Sequence, residues 1–251
     1  IRLRAGYGTD LRGPLLNVRV PLRPDIRLKH QVFYYLAITE FLETYFLGRT
    51  TTVAVEPDCS VPLDGDSMDR AVALLRSLDL DPDQPFFCLC PGSVNSEAKR
   101  WPDDCFRRLA DLLAHGLDAR VVFLGAPQER SLVDMIISGM QHPAALNLAG
   151  QADILTSMAI MNRSQLVISN DAGSAHLAVA ASARVLTIFG PTIVGATAPY
   201  GPNAHVIQGE APCAPCRHFL CPLPGHPCMR SVDPEAVFEK AEMILAEARG
   251  L

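Results

Sequence analysis

Five short apolar runs dominate the middle of the chain, at 86–90, 120–124, 145–148, 165–169 and 184–189. Most are unbroken instead of alternating with polar residues, the pattern of strands buried on both faces. Between the first two, Phe106, Leu109, Ala110 and Leu113 recur at i, i+3, i+4 and i+7, which puts them on one face of a helix. Asp103 and Asp104 stand at its positive end and Gly116 supplies a stop. Strand and helix patterns alternating over 85–190 predict an α/β fold: a parallel, doubly wound sheet covered by helices. A last helix starts at Asp233-Pro234-Glu235 and sets Val237, Ala241, Ile244 and Leu245 on one face.

Residues 1–65 are different: short segments rich in Pro and Arg, with one helix predicted over 31–46. They cannot complete a doubly wound sheet alone. The region 1–78 therefore reads as the remainder of an N-terminal domain whose first strands precede Ile1, and a start without Met agrees. The polar, Pro-punctuated stretch 79–85 reads as an interdomain linker, 85–232 as the second domain and 233–251 as a closing helix.

In an open α/β sheet, ligands bind beyond the carboxyl ends of the strands. The distinctive residues fall on that rim. Strand 165–169 is followed by Asn170-Asp171-Ala172-Gly173-Ser174-Ala175-His176, a turn that opens a helix and presents free backbone N–H groups to an anion. Strand 86–90 is followed by a glycine-containing loop ending in Lys99, one of only three lysines. A lysine at a loop-to-helix junction suits phosphate oxygens as a point charge. Glu129, past strand 120–124, is placed to accept bonds from a ribose diol, or simply to complement a helix N-terminus. Gly190-Pro191-Thr192 follows strand 184–189 and completes the rim. Plainer readings exist for each: Asp171 as an N-cap, Gly173 as a turn glycine, His176 as a core histidine. Their joint spacing favours a ligand site. Gly6, Gly8 and Gly13 have neither the spacing nor the strand-to-helix context of a dinucleotide fingerprint.

Composition narrows the class. The chain has 251 residues, 49% hydrophobic and 20% charged, which is ordinary globular material. No apolar run approaches the roughly 20 residues of a membrane span, and no segment of these 251 residues reads as a signal peptide. The net charge of −5 hides an asymmetry: residues 1–30 carry six arginines and Lys29 against Asp10 and Asp25, a balance of +5. Such a segment suits an anionic partner, whether nucleic acid, phospholipid or phosphorylated glycan, or is a solvated face. No Ser/His/Asp triad and no HExxH motif is visible.

Cys213, Cys216, Cys221 and Cys228 form a Cys-x2-Cys-x4-Cys-x6-Cys cluster in a Pro-rich loop, with His218 and His226 interleaved. Thiolates this dense are candidates for a structural zinc site, although the spacing is not that of a standard finger. Disulfides are disfavoured in a reducing compartment. Cys59, Cys88, Cys90 and Cys105 read as small buried apolar residues.

Taken together these residues resemble glycosyltransferase family 9, the heptosyltransferases of lipopolysaccharide core assembly, and most closely the type that adds the second heptose. The resemblance is carried by Gly6-Tyr7-Gly8-Thr9-Asp10-Leu11-Arg12-Gly13, by Leu28-Lys29-His30-Gln31 with Tyr34-Tyr35, and by Ala98-Lys99-Arg100-Trp101-Pro102. Asn170-Asp171 through His176, Phe189-Gly190-Pro191-Thr192 and Cys228-Met229 follow in family order. It implies a GT-B architecture of two Rossmann-like domains, 1–78 on the acceptor side and 85–232 holding the nucleotide sugar. It further implies inverting transfer of heptose from ADP-heptose to a Kdo- or heptose-bearing lipid A acceptor, by a cytoplasmic enzyme peripheral to the inner membrane.

By the same resemblance Lys99 holds the diphosphate, Glu129 the adenosine ribose and Asp171 the heptose hydroxyls. The backbone at Ala172 and Gly173 binds phosphate, and His176 assists. The family usually has Thr or Ser where this chain has Ala172, so Ser174 is expected to supply the hydroxyl. Arg12, Lys29 and His30 fall on the acceptor side. The general base is an aspartate near the start of the family's N-terminal domain, expected upstream of Ile1. No metal is required, although Mg²⁺ could help, and no nucleic acid partner is implied. Two alternatives remain open: the same fold using another nucleotide sugar, and a non-catalytic, metal-stabilised nucleotide-binding module.

Overall fold

The computed structural model describes residues 2–52, 56–94, 96–142 and 145–250. It divides into two compact units between Asp58 and Cys59. In the first unit, β1 (Ala5–Tyr7) and β2 (Val18–Val20) pair in parallel, Ala5 opposite Val18 and Tyr7 opposite Val20. A short α1 (Pro24–Arg27) and the long α2 (Gln31–Leu47) follow. His30 caps α2 by accepting a bond from the Val32 N–H at 3.2 Å, and Gly48 ends it in the left-handed region at φ 62°. The helix predicted over 31–46 is thus present. None of its many apolar side chains is buried.

The second unit opens with α3 (Gly65–Ser77), capped by the Asp64 carboxylate on the Ser67 N–H at 2.7 Å. Then come β3 (Phe86–Cys90), α4 (Asp103–Gly116), β4 (Arg120–Phe123), α5 (Arg130–Ser138), β5 (Ala145–Asn147), α6 (Ile154–Arg163), β6 (Leu166–Asn170), α7 (Gly173–Ala180) and β7 (Val185–Phe189). The short α8 (Val194–Thr197) clusters with the first unit. The chain then returns for β8 (Ala204–Gln208), α9 (Pro227–Arg230) and α10 (Pro234–Arg249). The six strands β3 to β8 form one all-parallel sheet in the order β5-β4-β3-β6-β7-β8. Successive strands are added outward from β3 to β5 on one side and from β6 to β8 on the other, so the switch point of this doubly wound sheet lies between β3 and β6.

Alternate strand residues feed two cores. Phe87, Leu89, Val121, Phe123, Leu166, Ile168, Leu186 and Ile188 pack against α4, α5 and α10. Phe86, Cys88, Cys90, Val122, Val167 and Val185 pack against α3, α6 and α7. Double-sided burial explains why the runs do not alternate in polarity. The predicted face of α4 is buried as expected, with Phe106, Leu109, Ala110 and Leu113 fully enclosed.

The boundary drawn from sequence at 78 needs correction. Helix α3 buries Ala71 and Leu75 in the second unit's core, and its chief neighbour is α6. The stretch 79–85, expected as a linker, is a turn inside that unit: Asp79 reverses the chain at φ 55° and Leu80 is buried. Its polar composition marks the turn, while Leu80 anchors it to the sheet. The closing helix α10 likewise packs on α4 as part of the second core, not as a separate piece.

Candidate functional site

The switch point gathers the residues singled out on the rim. Strand β6 ends in Ser169 and Asn170, both fully buried, and Asp171 follows, only 4% exposed. Helix α7 begins at Gly173 with Ala172 as its N-cap, and Ala172 brings no side-chain oxygen to the first-turn N–H groups. The Gly173 N–H stands at the positive end of the helix, while the Ala172 N–H donates back to the Asn170 carbonyl at 2.7 Å and the Ala175 N–H to the Ala172 carbonyl at 3.1 Å. His176 is exposed on the first turn of α7, so it is not a core histidine.

Lys99 ends a single turn of 3₁₀ helix, Glu97–Lys99, and its Nζ lies 2.8 Å from Asp171 Oδ2. The Thr192 hydroxyl donates to the same oxygen at 2.6 Å. Three rim loops therefore meet at one buried carboxylate. Thr192 was legible only as part of a turn; nothing in its spacing announced a bond to Asp171.

The Lys99 turn is held by its surroundings. The Trp101 N–H donates to Asn170 Oδ1 at 2.9 Å, and the Asn170 amide nitrogen donates to the Pro91 carbonyl at 2.7 Å. The Trp101 indole is wholly buried, donates to the Val232 carbonyl at 3.0 Å and meets the Phe106 ring edge-on at 5.0 Å. From the cysteine-rich loop, the Phe219 carbonyl accepts from the Ala98 N–H and the Ser96 hydroxyl, both at 3.1 Å. The Arg217 N–H reaches the Pro191 carbonyl at 2.8 Å. That loop thus touches both the Lys99 turn and the Thr192 turn.

Glu129 lies across the ends of β3 and β4. Its Oε2 accepts from the Ala126 N–H at 2.8 Å. A Cβ at Gly92 would fall 1.7 Å from Glu129 Oε1, and one at Gly125 would fall 2.7 Å from Oε2. The carboxylate thus rests over two glycines. Burial, and secondarily this carboxylate, pushes the Cys90 thiol up to about 12, so it stays neutral at physiological pH.

Ser174 does not offer the free hydroxyl expected in place of the one missing at Ala172. Its oxygen lies 2.8 Å from the Ser169 hydroxyl, which itself donates to the Asn170 carbonyl at 2.8 Å. Since Ser169 has one proton, Ser174 donates inward to Ser169 and has none left for a phosphate. The Ala172 N–H, expected to meet a phosphate, is likewise engaged, on the Asn170 carbonyl at 2.7 Å.

The four-cysteine cluster is not assembled as a metal centre. Burial raises the Cys228 thiol, with added contributions from Cys213, Cys216 and Cys221, so the four are neighbours. Among the described residues, however, no group of three or more His, Cys, Asp or Glu side chains is arranged to hold a metal. Cys228 is buried in the core beneath Gly190, whereas Cys213 is exposed.

In the first unit, Arg12 is exposed and tied locally, with Nη2 at 2.9 Å from Asp10 Oδ2 and 2.7 Å from Thr9 Oγ1. Lys29 sits 5.8 Å from the centroid of the Phe33 ring, and His30 serves as the α2 cap. Each of the three has a local role within the first unit. Among the described residues no helix is long and apolar enough to cross a membrane.

A doubly wound α/β unit with a lysine, a buried aspartate and an open helix N-terminus at its switch point is of the nucleotide-fold class. The comparisons narrow this further. The family model for glycosyltransferase family 9 (heptosyltransferase) matches residues 1–226, and the chain belongs to that family. It is 31% identical over 221 residues to lipooligosaccharide heptosyltransferase 2 of Campylobacter jejuni, covering 86% of this chain and 65% of that protein. Against the same enzyme from another strain of that species the match covers 50% of the relative, so the chain spans about half to two thirds of these curated proteins. The solved E. coli ADP-heptose LPS heptosyltransferase II superposes with TM-score 0.74 at 20% identity, over 99% of this chain and 71% of that one. An E. coli heptosyltransferase solved with ADP superposes at 0.61, 20% identity, over 93% of this chain and 62% of that one. The fold is α/β of GT-B type.

Proposed function

We propose that the second unit is the donor half of an inverting heptosyltransferase. In this reading it holds ADP-heptose for transfer to the Kdo- or heptose-bearing lipid A of the lipopolysaccharide inner core. The observation that carries the reading is the Lys99–Asp171 pair at 2.8 Å beside the uncapped start of α7. Negative charge grows on ADP as the glycosidic bond breaks, and fixed positive groups aimed at that charge lower the barrier. Lys99 and the Gly173 N–H supply them, with the exposed His176 imidazole on the same helical turn as a further donor, and no resident metal is required. Asp171, once Lys99 turns to the diphosphate, offers its carboxylate to the heptose hydroxyls, and Glu129 accepts from the adenosine ribose. Removing the acceptor's proton requires a base, and that step falls to a residue outside the donor unit. The basic first unit, with Arg12, Lys29 and His30, faces a phosphorylated, Kdo-rich acceptor at the cytoplasmic surface of the inner membrane.

Calorimetry with ADP tests this directly. The protein binds ADP, Lys99→Ala weakens binding about tenfold or more, as for a charge-assisted bond to phosphate, and UDP binds less well than ADP. No ADP binding at millimolar nucleotide removes the donor reading. A preference for UDP turns it towards the same fold acting on another nucleotide sugar. Turnover with ADP-heptose against UDP-sugars settles the donor in the same way.

A further inference from the structure

We propose that Asn170 is the positioning residue of the diphosphate site, fixing Lys99 against Asp171; the functional half of this rests on the donor reading above. Asn170 is fully buried and its amide is used on both sides. The nitrogen donates to Pro91 O at 2.7 Å and lies 3.4 Å from Gly92 O, and the oxygen accepts from Trp101 N at 2.9 Å. Turning the amide over would set an NH₂ against an N–H and an oxygen against two carbonyls, so the orientation is forced.

The three anchored points are the ones the site needs. Pro91 and Gly92 leave β3 beneath Glu129. Trp101 begins two residues after Lys99, and Asp171 is covalently next to Asn170. One side chain thus locks the Lys99 turn, the glycine over which Glu129 rests and the aspartate to a single strand end. A carboxylate in its place would accept from Trp101 but could not donate to Pro91. Ser or Ala could not bridge the two loops. The Trp101 indole keeps its own anchors at Val232 and Phe106, so loss of Asn170 loosens the backbone around Lys99 without emptying the core.

The test combines an affinity cycle with a readout that needs no nucleotide. ADP affinity is measured for wild type, Asn170→Ala, Lys99→Ala and the double variant, and hydrogen exchange is followed at the amides of 98–101. Asn170→Ala is expected to weaken ADP binding about tenfold, like Lys99→Ala, and the double variant to be little weaker than either single. The Trp101 amide is expected to lose protection while the amides of β7 keep theirs. Losses that multiply to about a hundredfold, as for independent sites, overturn the proposal. So does an Asn170→Ala protein with wild-type ADP affinity. If wild type itself fails to bind ADP, the donor reading falls and exchange alone decides: unchanged protection at Trp101 then overturns the positioning role. Asn170→Asp covers the case in which Asn170→Ala does not fold. It is expected to keep Trp101 protected yet lose ADP affinity through the freed Pro91–Gly92 segment, and wild-type affinity in it overturns the proposal.

Discussion

The carboxylate of Glu129 fills the space in which a side chain at Gly92 would begin, with Oε1 only 1.7 Å from where a Cβ would stand. Glycine at 92 is therefore a condition for Glu129 to lie over the end of β3. Gly92→Ala is expected to push Glu129 off this seat and weaken ADP by about tenfold, the size of one lost charged hydrogen bond. Gly65→Ala, at the exposed start of α3, is the control, because nothing lies within 4 Å of a Cβ there; it should leave ADP affinity within about twofold. Calorimetry with ADP on the two variants checks both. Equal affinities would show that Glu129 is not needed in its present position.

Lys99 and Asp171 depend on each other before any ligand arrives. Asp171 is 5% exposed at its side chain and Lys99 27%, so taking away the lysine leaves a nearly buried carboxylate with Thr192 as a remaining partner. Lys99→Ala is expected to lower stability by about 1–3 kcal/mol, discounted from the cost of breaking a fully buried pair because Lys99 is partly in water. Adding Asp171→Asn removes the stranded charge and should restore most of that loss. It should not restore ADP binding, which needs the lysine's charge. Urea midpoints read the first effect and calorimetry the second. A double variant as unstable as Lys99→Ala would show that the pair is not what holds Asp171.

Much of this was readable from the chain. The unalternating runs mark five of the six strands of the main sheet, and the rim rule puts Lys99, Glu129 and Asp171 on one edge. What escaped had physical causes. Strand β8 is only half-buried, so its run was too weak to stand out. Helix α3 looked like part of the first domain because its stripe is short, and only the sheet face shows where Ala71 and Leu75 go. Asn170 looked like one more turn residue, since its bonds to Pro91 and Trp101 span 79 and 69 positions of sequence. Nor does the cysteine spacing reveal that Cys228 is buried under Gly190 while Cys213 is exposed.

Two helix caps give the second unit an acid-sensitive edge. Bonds from Ser67 hold the Asp64 carboxyl below its ordinary 3.8, and bonds from Thr156 do the same for Asp153. A folded-state value depressed in this way contributes stability that is present above the unfolded value near 3.8 and lost as pH falls through the lower folded value. The melting temperature should therefore hold steady above roughly pH 5 and drop as pH approaches 3. Asp64→Asn with Asp153→Asn should be slightly less stable at neutral pH and show a shallower acid drop, since an asparagine cap does not titrate. Parallel pH curves for the two proteins would remove the caps as the cause.

Thr192 offers the sharpest separation of positioning from binding. Its hydroxyl donates to Asp171 Oδ2 at 2.6 Å, the oxygen that Lys99 also holds. When Lys99 turns to a diphosphate, Thr192 is the contact that keeps Asp171 aimed at the sugar. Thr192→Ala should accordingly leave ADP affinity within about twofold but weaken ADP-heptose about tenfold more than ADP, the cost of misplacing one charged acceptor. Thr192→Ser keeps the hydroxyl and should recover most of the difference. Competition calorimetry with the two ligands gives the ratio. An equal loss for ADP and ADP-heptose would mean that Thr192 shapes the diphosphate site as a whole and that Asp171 does not read the sugar.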